Sequence, residues 1–293
     1  MTELIQRKWY EVKQLDRAHH DPADPVRRRL SSVNDSSSLT LTRALRPFKL
    51  DEVEEFDNRP ISIVADMKRL SPTAKELPRE VDEYMDAGRR SRELYDWGVN
   101  VVMINTDEMG WGGNLDDLRS VGKSRRQVLH KQNGGVGDRD TLSDASRAVL
   151  AKDIYLHPLQ IAAAVESGAD GVLLMASVLG PRLADLLDAC TIMGTEAVVE
   201  VHTPNECEHA LKLGAMILCL NNWDRVEGVW RPNQAEAVRQ IVPDNVVTLA
   251  AGGISSSDEA RRLSRESFDS VVLGRALNAH PDPKQLVKNI AKI

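Results

Sequence analysis

The chain predicts an α/β fold, a closed (β/α)8 TIM barrel with an N-terminal helical extension. Three observations carry this. From Ile61 onward, eight short apolar runs alternate with amphipathic stretches of helical period, and strand–helix alternation builds a parallel sheet. The runs are mostly apolar throughout rather than at every second position, which fits strands buried on both faces. Eight such units in 293 residues match the count and length of this barrel. An open doubly wound sheet is the alternative, but that fold carries a Gly-rich turn after its first strand. Here the first strand runs into Ser71-Pro-Thr-Ala-Lys75.

Residues 1–55 read as the extension and 56–293 as the barrel. Residues 1–45 are polar and basic, with helical patterning at Ile5–Leu15. A Pro/Arg stretch and the Ser36-Ser-Ser run follow, so this part reads as an arm with one or two helices and a loose linker, and Arg43–Phe56 reads as another short helix entering the first strand. The expected strands are Ile61–Lys68, Val99–Thr106, Ala148–Asp153, Gly171–Ser177, Ala197–His202, Met216–Asn221, Val246–Ala251 and Ser270–Leu273. The expected helices are Glu80–Trp97, Pro158–Ser167, Gly180–Met193, Pro204–Leu213, Asn233–Ile241, Ser257–Ser264 and Pro283–Ile293. One segment, about 122–147, breaks the rhythm with a basic run (Lys123–Lys131), a glycine turn and then acids. It joins a helix to a strand, so it belongs to the barrel face away from the chemistry. It reads as a surface insertion and a contact site for a protein partner. Gly134-Gly-Val-Gly137 is not a phosphate loop, since no strand precedes it.

Hydrophobic content of 42% with 28% charged residues implies a folded soluble protein. A net charge of −6 argues against a nucleic-acid partner. No apolar run is long enough to span a bilayer, so no membrane association is expected. The N-terminus lacks a signal-peptide core and carries Glu3 and Glu11. Cys190, Cys207 and Cys219 lack metal-ligand spacing and read as buried thiols in a reducing compartment, cytoplasm or plastid stroma. The seven histidines form no HExxH cluster, and no metal is expected.

The chemistry collects where the strands end. In Ile61-Ser-Ile-Val-Ala-Asp66-Met-Lys68, a carboxylate and an ammonium two residues apart share one face of a strand. Opposite charges at the mouth of a buried strand are costly unless they serve a site. Further strand ends offer Asn105, Asp107 and Glu108, then Lys152 and Asp153, Glu200 and His202, and Asn221 and Asn222. Barrel enzymes work at that end. A single charge there is usually a structural ion pair, but lysines and carboxylates from several strands point to catalysis. The last two strands end in Gly252-Gly253 and Gly274-Arg275. Bare backbone at these neighbouring ends suits a phosphate, and Ser255-Ser-Ser-Asp258 is placed to cap the next helix. The bland alternative is that these glycines only make tight turns.

These residues, in this order, resemble the indole-3-glycerol phosphate synthase family. The likeness runs from about Phe56 to Asp282. It rests on Ala65-Asp-Met-Lys-Arg-Leu-Ser-Pro-Thr-Ala-Lys75, Thr106-Asp-Glu, Val149-Leu-Ala-Lys-Asp-Ile-Tyr-Leu-His-Pro-Leu-Gln-Ile161, Ala169–Ala176, Val198-Val-Glu-Val-His-Thr203 and Leu220-Asn-Asn-Trp-Asp224. The resemblance implies a barrel whose N-terminal extension covers the active-site mouth. It implies closure of an indole ring on a carboxyphenylamino deoxyribulose phosphate with loss of carbon dioxide and water, in tryptophan biosynthesis, without cofactor or metal. It assigns Lys152 as general acid, Glu200 as charge stabiliser and proton shuttle, and Lys68, with Asp66, to the leaving carboxylate and dehydration. Asn221 would orient substrate, with Ser71, Gly252, Gly253 and Gly274 around the phosphate. The chain departs from the family where Asp66 replaces a glutamate, Trp223 an arginine, Ala251-Gly252 a Glu-Ser pair and Lys75 a glycine. Arg275 is the candidate substitute cation, and Trp223 could stack on the aminobenzoate ring if it lines the pocket. Two functions are therefore carried forward: a carboxy-lyase of this kind, or a catalytically degenerate phosphate-binding barrel with a binding or scaffolding role.

Overall fold

The computed structural model describes residues 2–31, 33, 39–48, 59–70, 85–132, 147–224 and 227–293. Its strands are β1 (Ser62–Met67), β2 (Val101–Asn105), β3 (Ala148–Lys152), β4 (Gly171–Met175), β5 (Glu196–Val201), β6 (Ile217–Asn221), β7 (Trp223–Asp224), β8 (Val229–Trp230), β9 (Val247–Ala251) and β10 (Ser270–Leu273). Eight of them close into a parallel barrel in the order β1-β10-β9-β6-β5-β4-β3-β2. The short β7 and β8 pair antiparallel as a hairpin outside it. Every barrel-strand residue is buried except the half-buried Ala197. That is why the strands read as unbroken apolar runs: one face fills the barrel and the other meets helices.

The helices are α1 (Thr2–Ala18), α2 (Pro25–Ser31), α3 (Thr40–Leu45), α4 (Ala87–Trp97), α5 (Glu108–Trp111), α6 (Leu115–Gln132), α7 (Pro158–Glu166), α8 (Ala176–Leu179), α9 (Leu183–Met193), α10 (Pro204–Lys212), α11 (Gln234–Arg239), α12 (Ser257–Arg265), α13 (Ala276–Ala279) and α14 (Pro283–Ile290). Polar side chains start several of them. Asp86, Asp107, Thr203, Ser256 and Asp282 each accept a backbone N–H of the following first turn, satisfying donors that a helix leaves orphaned. His157 and Gln160 form a reciprocal capping box on α7.

The extension carries the second of the one or two helices expected, and differs from expectation in two ways. The Pro/Arg stretch is helix α2, because Pro25 stands at the first helical position, where its missing N–H costs nothing. The helix expected at Arg43–Phe56 is α3, Thr40–Leu45, with Pro47 two residues beyond; residues 49–58, like the Ser36–Ser38 run, lie outside the described ones. Most important, α3 does not cover the mouth. It stoppers the opposite end of the barrel, where the strands begin. Leu41 and Thr42 donate backbone N–H groups to Glu196 at the start of β5 (2.7 and 3.0 Å). Ser62 and Ser270, which open β1 and β10, donate their hydroxyls to Leu45 O (2.6 and 3.0 Å). Leu41 and Leu45 complete the apolar filling of the barrel with Val64, Leu150, Val198 and Leu249. Among the described residues of the extension, α1 is the helix at the mouth.

The expected insertion also changes. Residues 122–132 continue α6, so the basic run begins as the second half of a barrel helix. Arg125 within it pairs inward with Asp170. Residues 133–146 lie outside the described ones.

Candidate active site

Asp66 organises the mouth of the barrel. The apolar run of β1 carries it to the strand's C-terminal end at 8% exposure. Its Oδ2 takes Lys68 Nζ at 2.5 Å and Lys152 Nζ, from the last residue of β3, at 3.2 Å. Its Oδ1 accepts Asn105 Nδ2, from the last residue of β2, at 2.7 Å. Burial alone would raise this carboxyl's pKa. The charges of Lys152 and Lys68 and the hydrogen bonds from Lys68 and Asn105 outweigh that and hold it well below the usual carboxylate range. Gly274 lies against the cluster: a Cβ there would stand in ordinary contact, 3.4 Å from Lys68 Nζ and 3.5 Å from Asp66 Oδ2.

These groups open into a cavity of about 420 Å³ that is also lined by Glu200, Asn221, Trp223, Trp230, Gly252, Gly253 and Arg275. Glu200, near the end of β5, is 1% exposed. His202 Nε2 lies 3.4 Å from Glu200 Oε1, and Nδ1 lies 3.2 Å from Glu206. Burial disfavours the imidazolium, but the two glutamates outweigh it and lift His202 to about 9. Asn221 Oδ1 accepts Trp223 N at 2.9 Å and so aims the start of the hairpin. Trp223 is half-buried on the cavity wall, and its Nε1 has no hydrogen-bond partner among the described residues. Trp230, its cross-strand neighbour, donates Nε1–H to Gly252 O at 3.3 Å. Burial pushes the Arg275 guanidinium down from its ordinary value.

A sequence model described as indole-3-glycerol phosphate synthase matches residues 15–290. The chain belongs to the indole-3-glycerol phosphate synthase family. It is 28% identical over 255 residues to the indole-3-glycerol phosphate synthase of Mycobacterium avium (strain 104), covering 87% of this chain and 85% of that one. It is 29% identical over 234 residues to that of Dehalococcoides mccartyi (strain CBDB1), covering 80% and 82%. Among solved structures it is similar to 3-hexulose-6-phosphate synthase from Salmonella typhimurium, with a TM-score of 0.57 at 16% identity over 79% of this chain and 97% of that one. It is also similar to thiamine phosphate pyrophosphorylase from Pyrococcus furiosus, with a TM-score of 0.53 at 17% identity over 81% and 96%. At such identities these two show the barrel fold and no more.

Set against this family frame, the residues expected from sequence divide into three groups. Asp66, Lys68, Lys152, Glu200, Asn221, Trp223, Gly252, Gly253, Gly274 and Arg275 all line the one cavity. Ser71 lies outside the described residues. Asp107 and Asp153 do not line it: Asp107 pairs with Arg7 and Lys8 of α1, and Asp153 with Lys8. Glu108 is exposed at the start of α5, and Asn222 accepts Ala235 N at 2.8 Å to hold the loop into α11. The glycines are also explained differently. A Cβ on Gly252 would stand 2.6 Å from Asn221 Oδ1, and one on Gly253 3.0 Å from Trp230 Nε1. Their bare sides accommodate the hairpin. Sequence reasoning missed Trp230; Gly228, at positive φ one residue before β8, was the available sign of a reversal. All three cysteines are buried, and Cys219 lies on the cavity wall. Among the described residues no His/Cys/Asp/Glu group could hold a metal, and no helix is long and apolar enough to cross a membrane.

Proposed function

We propose that the protein is an indole-3-glycerol phosphate synthase-like carboxy-lyase acting on a carboxyphenylamino deoxyribulose phosphate. One observation carries the reading: Lys68, just past β1, with Lys152 of β3 and Glu200 of β5, lines a single cavity, with Asp66 bridging the two ammonium groups. A ketone becomes electrophilic enough for ring attack when its oxygen is protonated. Lys152 supplies that proton as the new carbon–carbon bond forms. The ring then carries positive charge, which the Glu200 carboxylate stabilises. Loss of carbon dioxide returns an electron pair to the ring and restores the charge balance. Lys68 holds the carboxylate until that step, then assists departure of the hydroxyl as water, while Glu200 takes the proton lost from the neighbouring ring carbon as the indole double bond forms. Each step moves protons or breaks carbon bonds, and none calls on a cofactor. The phosphate would lie between the Gly252–Ser255 loop and the Gly274–Arg275 turn, which share one side of the cavity.

The test is turnover of the carboxyphenylamino substrate by purified protein, followed by indole fluorescence. Lys152→Ala should lower kcat by about a thousandfold. Absence of signal from the wild-type chain at high concentration would sink the reading. A second reading, a barrel that binds a phosphorylated ligand without turning it over, is favoured by Trp223 on the cavity wall and by Ala251, which brings no carboxylate. Trp223→Arg with Ala251→Glu separates the two: a large gain from near zero supports this second reading, and little change in an already fast enzyme excludes it.

A further inference from the structure

Lys8 belongs to α1, yet it is only 1% exposed. Its Nζ reaches Asp153 Oδ1 at 2.6 Å, Glu11 Oε2 at 2.7 Å and Asp107 Oδ2 at 3.3 Å. Asp153 directly follows Lys152, the last residue of β3, and Asp107 lies two beyond Asn105, the last residue of β2. Asn105 and Lys152 are register partners, and both hold Asp66. One ammonium from the N-terminal arm therefore joins the two strand ends that build the catalytic cluster. Asp153 is otherwise tied to Thr106 Oγ1 at 2.9 Å and to Ile154 N at 2.6 Å. Asp153 also borders a void of about 10 Å³ that it shares with Lys152, Asn105 and Trp111.

From this geometry we propose that Lys8 is a positioning residue for Lys152, resting on the reading of the pocket as a ring-closing site. A buried lysine bridging carboxylates adds little net stability over an apolar replacement, and its better attested use is to fix one register. Here the register it fixes is that of Asn105 and Lys152 around Asp66. A displacement of about 1 Å in such a group can cost ~100-fold in rate. If α1 served only as a cover for the mouth, losing its anchor would weaken substrate capture and raise KM. A positioning role lowers kcat instead.

The experiment compares the full-length wild type with Lys8→Met and with Lys8→Met/Asp153→Asn, which leaves no carboxylate unpaired at the end of β3. Lys8→Met should lower kcat by about tenfold or more with KM within ~3-fold. The double variant should regain thermal stability lost by Lys8→Met but not its kcat. An unchanged kcat, a loss carried by KM, or recovery of kcat together with stability each overturns the proposal. A wild type without turnover defeats the ring-closing reading, and Lys8 is then tested without substrate. Competitive acetylation by acetic anhydride, read by mass spectrometry, should modify Lys152 about fivefold faster in Lys8→Met than in the wild type, because the strand end is freed. An equal rate overturns the inference.

Discussion

At the scale of single residues, the pocket is a set of charges that make sense only in company. Asp66 is buried between two ammonium groups and an amide, and Glu200 is buried beside His202. The imidazole sets a pH dependence. Burial opposes its charge, but Glu200 and Glu206 raise it from 6.5 to about 9. A raised folded-state value means that its stabilisation is complete below the unfolded pKa of ~6.5 and lost as pH rises through ~9, up to ~3 kcal/mol in all. Urea unfolding of the wild type should therefore weaken across that window, while His202→Gln should be nearly flat; equal slopes would refute the charged imidazole. The pairing of Asp66 with Lys68 was legible in the sequence because a two-residue spacing puts both on one face of a strand. The fate of Asp107 and Asp153 was not. Their partners, Arg7 and Lys8, sit far upstream in α1, and nothing local to either aspartate records that contact.

Among the elements, barrel strands announced themselves and the hairpin did not. Each barrel strand falls within two residues of an expected apolar run, because burial on both faces leaves little choice of residue. The two-residue strands β7 and β8 are too short to show a period. Yet the hairpin is what gives Gly252 its meaning. At φ 92° its missing side chain leaves room for Asn221 Oδ1, Asn222 N and Trp223 N, the last two standing 2.9 Å from where a Cβ would be. Gly214, at φ 85°, has nothing within 4 Å of that position. Gly214→Ala should thus cost only the positive-φ backbone, ~1 kcal/mol. Gly252→Ala adds a clash against backbone and should cost ~3 kcal/mol while shifting Trp223 off the cavity wall. Chemical denaturation gives both costs, and tryptophan fluorescence on ligand addition reports the shift. Similar costs for the two variants would mean that the hairpin yields freely.

For the molecule as a whole, the two ends of the barrel divide the work, and the N-terminal arm serves both. At the mouth, α1 meets the strand ends that carry the site. At the far end, α3 closes the interior, and Asp269, fully buried, takes Arg46 at 2.7 and 2.8 Å, Arg59 at 2.5 Å and Thr248 N at 2.7 Å. The sequence announced a barrel with an arm, but it could not say that one arm reaches both ends, since that depends on where the chain passes between them. Removing one partner from a buried ion cluster leaves the others uncompensated and costs ~3–5 kcal/mol. Asp269→Ala should therefore lower the urea midpoint sharply, yet leave kcat and KM of the folded fraction within ~2-fold, because the proposed site sits at the other end. Lys152→Ala should do the reverse. Asp66 keeps Lys68 as its counter-charge, so stability should change by no more than ~1–2 kcal/mol, while turnover falls. Unfolding curves and initial rates on the same two preparations check both halves. A change of KM in fully folded Asp269→Ala would show that strain at the stopper reaches the site, and that the ends of this barrel are coupled rather than independent.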